Sequence, residues 1–380
     1  MIIEKSSRLE PLELTRLQEI LRAPGPCITI VLPPYHPGEP AKSAATRLKI
    51  DIQDAIRALD EQGYPKAKTD CLLAPLEQLL NDPASLTGSR WGSVIFCSPD
   101  VFCQFQLLQS LKPSITVAGC FAIRRLLSEL SMPKLFYLLA LSKESVRLFR
   151  CTGEGAEAIE LPAGFPSTLE EALALEPPDH DLENRAAIST STGSMHAVRF
   201  GTGSGRETKY LHLLDFYKLV DRGIHKMLHA PGAPLILAGV EEEVVAYRAV
   251  SSHRNLAKTA LHGSPNLVSP VEETVTRAIA LLRAEQVQRE VEALMDAKED
   301  ALPGRFVTDP GAILSAAFDG RVRQLYLNEG AAFIGSYRTW FEEELLNLAA
   351  VETLGKGGQA FELPAGLMPD GEAAVAILRY

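Results

Sequence analysis

The 380-residue sequence has no long hydrophobic run, and none of its apolar stretches approaches the roughly 18 residues of a membrane-spanning helix. Its first residues, Met1-Ile-Ile-Glu-Lys-Ser, are not a charged segment followed by an apolar core, so we expect no signal peptide. Together these features predict a cytoplasmic protein that has no membrane partner.

The sequence also lacks paired cysteine motifs. None of its six cysteines forms a CxxC pair, which predicts buried thiols in a reducing compartment and argues against a zinc site. His225 and His229 stand four residues apart, as two metal ligands on a helix would, but the positive charge of Lys226 beside His225 opposes a cation. We therefore predict neither a metal nor a cofactor.

Positive charge is scarce over the whole chain. The 38 lysines and arginines against 48 aspartates and glutamates leave a formal net charge of −10. This balance excludes a uniformly basic nucleic-acid-binding protein and predicts no DNA partner. Any contact with RNA must come from a local basic patch.

Residues 196–229 are such a patch, with six lysines and arginines against three acidic residues. One interpretation is a loop and helix that contact RNA phosphates. The alternative is a solvated helix face joined to a surface loop. The candidate RNA-binding residues are Arg199, Arg206, Lys209, Arg222 and Lys226.

No motif predicts a catalytic residue. The glycine-rich segment 201–205 lacks the GK[ST] of a phosphate loop and the third glycine of GxGxxG, which favours a surface loop. No GxSxG element is present, and Glu241-Glu-Glu243 follows a predicted strand, where we expect the carboxylates to face water. The sequence leaves enzymatic activity open and favours a non-enzymatic role.

Apolar periodicity predicts a multidomain α/β protein with three domains. The first, 1–132, is an α/β domain with a hairpin over 91–108. The second, 133–268, contains a meander of three strands over 134–161, a polar loop over 176–206, a helix over 209–228 and a strand over 234–239. The third, 269–380, is a three-layer α/β domain in which Asp309 caps a helix that begins at Pro310.

The third domain carries motifs of a known family. Asp319-Gly-Arg-Val-Arg-Gln-Leu-Tyr-Leu-Asn328 is similar to a "GAVxxLLI(S/N)" strand, and Gly371-Glu-Ala-Ala-Val-Ala-Ile-Leu-Arg-Tyr380 is close to a "GGIAAILRY" ending. On these motifs the domain resembles the C-terminal domain of the archaeo-eukaryotic release factor and Pelota family, a ribosomal-protein-like fold.

The resemblance extends to the rest of the chain. The order of strands and helices in 133–268 is similar to the family's RNase H-like middle domain. Ile28-Thr-Ile-Val-Leu-Pro33 looks like the "SIYLP" strand of the bacterial branch, the baeRF proteins. The sequence is thus identified as a member of the bacterial archaeo-eukaryotic release factor-like (baeRF) family, which implies an association with translation.

The sequence departs from the release factors at the motif that hydrolyses peptidyl-tRNA. The corresponding loop, Met195–Arg206, contains no GGQ, and the first domain has no NIKS-like codon-reading segment. The GGQ at 357–359 lies between a predicted helix and a strand, where its glycines fit a helix C-cap. The resemblance therefore implies a non-catalytic factor that binds the ribosome or a tRNA-like RNA, with ribosome rescue or a stress response as its role.

Two alternatives stay open. The RNase H-like domain could be an RNA-directed hydrolase, although its strands 135–141 and 146–149 carry no acidic residue for a divalent metal. The chain could also be a protein-interaction scaffold, with a protein partner on the acidic helix Val271–Leu294.

Overall fold

The computed structural model describes residues 2–3, 10–34 without 22 and 24, 41–82, 86, 91–152, 155–175 without 163, 204–228, 232–263, 271–300, 304–332, 334–335 and 343–380. The chain is a multidomain α/β protein, as predicted. It forms two compact units, of which the first comprises Met1–Lys134 with Gln286–Tyr380 and the second Leu135–Glu285. No helix in the described part is both long and apolar enough to span a membrane.

The N-terminal part of the first unit is built on a mainly antiparallel sheet of order β1-β5-β4-β3-β6, with β2 also paired to β5. The predicted hairpin is β4 and β5. Ile28 and Ile30 of β3 pack with Leu48 and Leu59 of the following helix. The elements are β1 (Ile2–Ile3), β2 (Glu10–Pro11), α1 (Leu14–Ile20), β3 (Cys27–Leu32), α2 (Ala41–Glu61), α3 (Lys66–Leu80), β4 (Ser93–Cys97), β5 (Val101–Gln106), β6 (Ser114–Ala118) and α4 (Leu127–Leu130).

The second unit contains a five-stranded sheet of order β11-β10-β7-β8-β9. β7, β8 and β9 form the predicted antiparallel meander, and β10 and β11 run parallel to β7. The assignment of this domain to the RNase H-like class stays a prediction. The elements are β7 (Leu135–Leu141), β8 (Val146–Thr152), β9 (Gly155–Ile159), α5 (Leu169–Leu175), α6 (Ser204–Met227), β10 (Leu235–Gly239), α7 (Glu241–Val250), β11 (Leu256–His262) and the first half of α8 (Val271–Asp300).

The C-terminal part of the first unit has a sheet of order β12-β17-β13-β16, in which β13 and β16 are parallel and β17 is antiparallel to β13. Asp309 caps α9 as predicted, because its side chain accepts a hydrogen bond from the Ala312 N–H at 2.7 Å. The elements are β12 (Phe306–Val307), α9 (Pro310–Phe318), β13 (Val322–Asn328), β14 (Ile334–Gly335), β15 (Glu343–Glu344), α10 (Leu345–Gly355), β16 (Gln359–Leu363) and β17 (Ala374–Leu378).

The two parts of the first unit share one hydrophobic core. Phe96 and Phe121 belong to the same buried cluster as Leu325 and Leu354. Polar contacts support this core: Asn347 accepts hydrogen bonds from the backbone N–H of Ile123 and Arg124 at 2.9 and 3.1 Å, and donates to the Phe121 carbonyl at 2.9 Å. Each predicted domain has its own sheet, and the division of the chain into three domains stays a prediction.

One predicted helix start differs from the structure. α6 begins at Ser204 and not near 209, so residues 204–206 of the predicted polar loop are helical, and residues 176–203 lie outside the described part. The first turn has no apolar residue to reveal helical periodicity. α10 begins at Leu345, where Glu344 caps it by accepting the N–H groups of Leu346 and Asn347.

Candidate nucleic-acid interface

Helix α6 carries most of the predicted RNA-binding residues, and the side chains that it buries determine which side faces solvent. The buried residues follow helical spacing and belong to one core cluster with Leu139 and Leu148 of the sheet. Side chains on the opposite side of α6 therefore point into solvent. The buried set is Leu213, Phe216, Tyr217, Val220 and Ile224.

Asp221 joins α6 to the end of α7. Its Oδ1 accepts hydrogen bonds from the hydroxyl groups of Tyr247 and Ser251, both at 2.9 Å. Its Oδ2 accepts the backbone N–H and the hydroxyl group of Ser252 at 2.9 and 2.7 Å. Burial opposes ionisation of Asp221, but the hydrogen bonds from Ser252, Ser251 and Tyr247 outweigh it and lower the pKa. An ionised carboxylate thus anchors the C-terminal half of α6.

The structure describes the side chains of three of the five predicted RNA-binding residues. Lys209, Arg222 and Lys226 are exposed on α6. Arg206 lies in the first turns of this helix, and its side chain is outside the described part. Arg199 lies outside the described residues.

Arg222 and Lys226 extend a row of cations that begins at Lys218. The three residues are spaced by four, which places their Cβ atoms about 6 Å apart along one side of a helix. Lys218 Nζ binds Asp215 Oδ1 at 2.9 Å, and Arg222 Nε donates to the Lys218 carbonyl at 3.4 Å. We call Lys218, Arg222 and Lys226 the cation row. Lys218 was not among the predicted residues, although its spacing would have revealed it.

Lys209 does not join the cation row. It precedes Arg222 by 13 residues, which corresponds to about 20 Å along the helix axis and about 140° around it. The predicted cations therefore lie at two separate places on α6.

The carboxyl end of the second unit's sheet contains a buried carboxylate that the sequence did not predict. The strand order reverses between β7 and β10, which is where open α/β sheets bind ligands. The prediction that Glu241-Glu-Glu243 all face water is wrong for Glu243. This residue is in the first turn of α7, is 5% exposed, and accepts the Lys143 N–H through Oε1 at 3.2 Å.

Burial raises the pKa of Glu243, and it also raises the pKa of the fully buried Tyr217. Within the described residues, Glu243 Oε2 and the Tyr217 hydroxyl group have no hydrogen-bond partner. Glu242 forms an ion pair with Lys143 at 3.0 Å. No three His, Cys, Asp or Glu side chains of the described part are arranged to hold a metal ion.

The GGQ sequence at 357–359 joins the end of α10 to the first residue of β16, and its glycines terminate the helix as its position between helix and strand predicts. Gly357 adopts a φ of 74°, and the Gly358 N–H donates to the Thr353 carbonyl at 2.8 Å. A Cβ atom on Gly358 would lie 2.6 Å from Thr353 Cγ2 and 2.8 Å from the Val322 carbonyl oxygen. Close packing therefore accounts for this glycine.

Comparison with known proteins identifies the family. Residues 135–321, about half of the chain, match the bacterial archaeo-eukaryotic release factor family 3. This match confirms the family that the sequence motifs predicted. No curated protein matches the sequence.

Solved structures similar to this baeRF protein include three from archaea. A chain described as an archaeal protein is 16% identical, with 98% of this chain and 99% of that chain covered and a TM-score of 0.25. The archaeal translation termination factor aRF1 is 14% identical, with 97% of each chain covered and a TM-score of 0.25. Archaeoglobus fulgidus Pelota is 10% identical, with 100% and 98% covered and a TM-score of 0.37. At these identities and TM-scores, the similarities carry no argument about function.

Proposed function

We propose that this chain is a non-catalytic translation factor that binds the ribosome or a tRNA-like RNA through helix α6. The cation row carries the proposal. It places three positive side chains on one exposed side of a helix, in a protein whose net charge is −10. An RNA backbone is the polyanion that such a row fits.

Membership of the release factor-like family supports RNA as the partner. The proposed role is in ribosome rescue or a stress response, where a factor occupies the ribosome without releasing a peptide. Peptide release by this chain is not expected, because 195–206 contains no GGQ, and the GGQ at 357–359 lies in the short connection between α10 and β16 and includes a packed glycine.

Co-sedimentation with purified ribosomes at low and moderate salt tests this function. We expect the wild type to sediment with ribosomes, and the double variant Arg222→Glu/Lys226→Glu to remain largely in the supernatant. The matched control is Lys66→Glu/Lys68→Glu, which makes the same charge change at exposed positions of α3. Equal loss of binding in both variants, or in neither, would refute a role for the cation row.

The acidic helix α8 supports a separate proposal of a protein partner. It buries Val275, Ala278 and Leu282, while Glu273 and Glu292 are exposed. A pull-down in which the partner survives nuclease treatment would favour the scaffold alternative, and complete loss of co-purifying protein would oppose it. The RNA-directed hydrolase also stays a prediction, and an RNA cleavage assay with and without Mg²⁺ tests it.

A further inference from the structure

Three arginines lie side by side at one end of the sheet formed by β12, β17, β13 and β16. Arg305 directly precedes β12, Arg379 directly follows β17, and Arg323 is the second residue of β13. Leu378 pairs with Val322 of β13 and donates its N–H to the Arg305 carbonyl at 2.8 Å. The ends of the three strands therefore lie level with one another. We call Arg305, Arg379 and Arg323 the arginine row.

The three members of the arginine row are exposed and close together. Neighbouring strands of a sheet lie about 4.8 Å apart, so the row spans about 10 Å of backbone. A register shift between Val322 and Gln324 leaves Arg323 outside the regular pairing of β13 with β17. Positive groups at this spacing repel one another, and an anion bound among them offsets the repulsion. The arrangement therefore favours an anionic ligand.

Within the described residues, no carboxylate forms an ion pair with the arginine row. The neighbouring Arg321 pairs with Asp319 at 3.2 Å, and Lys356 pairs with Glu352 at 2.6 Å. Glu290 of α8 accepts a hydrogen bond from a glutamine of its own helix. These acidic groups thus have partners of their own, and they leave the positive charge of the row uncompensated.

The contacts that hold two members of the arginine row are neutral. Arg379 Nη2 donates to the Lys356 carbonyl at 3.0 Å, and Arg323 Nη2 donates to Gln324 Oε1 at 3.4 Å. Gln324 Nε2 in turn donates to Gln359 Oε1 at 3.3 Å. Gln359 is the last residue of the GGQ, is exposed and begins β16. It extends the row to the fourth strand with an amide group that can donate hydrogen bonds.

We propose that the arginine row binds RNA phosphates and gives this chain a second RNA contact, which lies in the first unit. A guanidinium group presents a planar fork of donors that fits two phosphate oxygens, and side-chain amides also bind phosphates. The carboxylates of an acidic protein fit the same fork. The inference rests on the proposed function, because that function favours RNA over an acidic protein as the ligand.

Fluorescence anisotropy of the full chain with two labelled probes tests the inference. The probes are a ten-nucleotide oligouridylate and a decaglutamate peptide. We expect Arg305→Gln/Arg323→Gln to weaken oligouridylate binding about fivefold, as expected for the loss of two exposed ion pairs. The slope of log Kobs against log salt concentration should fall by about 1.4. The matched control is Arg47→Gln/Arg57→Gln, which removes two exposed arginines from α2 and should change neither quantity.

Equal oligouridylate binding by the two variants would overturn the inference. Tighter wild-type binding of decaglutamate than of oligouridylate would also overturn it and would indicate an acidic protein as the ligand. The proposed function is judged separately with Arg222→Glu/Lys226→Glu. Weaker RNA binding in that variant alone would support the proposed function and contradict the inference, and weaker binding in Arg305→Gln/Arg323→Gln alone would do the reverse. If the wild type does not bind the oligouridylate, both proposals fail.

Discussion

The hydrogen bonds between Asp221 and the end of α7 allow the effect of a substitution on the free energy of unfolding to be predicted from the structure. Asp221→Asn keeps the shape of the side chain but replaces one carboxylate oxygen with an amide nitrogen. In the orientation that preserves the bonds from Tyr247 and Ser251, the backbone N–H and the hydroxyl group of Ser252 then face a donor. Two charge-assisted hydrogen bonds are lost.

The magnitude follows from these two bonds. A hydrogen bond to a charged group stabilises a protein by about 1.5–3 kcal/mol, and the Ser252 hydroxyl can rotate to accept a bond from the new amide. We therefore expect Asp221→Asn to lower the free energy of unfolding by about 3 kcal/mol. For a unit of this size, such a loss lowers Tm by about 9 °C.

Urea unfolding followed by circular dichroism, together with thermal melts, measures this effect at pH 7. The control is Asp215→Asn on the same helix, which removes only an exposed pair with Lys218 and should cost at most about 0.5 kcal/mol. Equal stability of the two variants would refute the anchoring role of Asp221.

The difference between wild type and Asp221→Asn should also depend on pH. Because the pKa of Asp221 is lowered in the folded state, its contribution is present above the ordinary pKa of 3.8 and is lost as the pH falls through the folded value. A difference that grows on acidification would contradict this account.

Three further predictions concern buried polar and glycine positions. Because burial raises the pKa of Glu243 above its ordinary 4.5, its charged form costs stability at pH 7. Glu243→Gln should therefore stabilise the protein to urea at pH 7, and the gain should vanish towards pH 4.5; a gain that increases in acid would count against this. Gly358→Ala should lower the free energy of unfolding by about 2 kcal/mol, since its Cβ would clash with Thr353, and an unchanged urea midpoint would argue against a packed glycine. Asn347→Ala should cost about 3 kcal/mol in the same assay because it leaves buried backbone N–H groups unpaired; a loss below about 0.5 kcal/mol would show that Asn347 does not support the shared core.

Features with local signals were predictable from the sequence. The meander of β7, β8 and β9 followed from short polar turns between apolar runs, and the start of α9 followed from Asp309 and Pro310. The helix end at Gly357-Gly358 was recognisable from its position between a helix and a strand. In each case the residues that decide the structure are close together in the chain.

Features that depend on distant residues were not predictable. The burial of Glu243 depends on Lys143, which is 100 residues away in the chain. The shared core of the first unit depends on contacts such as the one between Ile123 and Asn347, which are 224 residues apart. One sequence contains no signal for such pairings.

The salt dependence of RNA binding tests the central claim most directly. Each phosphate contact contributes about 0.7–0.9 to the slope of log Kobs against log salt concentration. If Arg222 and Lys226 contact phosphates, Arg222→Glu/Lys226→Glu should weaken binding of an RNA probe and reduce the slope by about 1.5. Lys66→Glu/Lys68→Glu should leave the slope unchanged. An unchanged slope for the α6 variant would contradict the claim that this helix binds RNA.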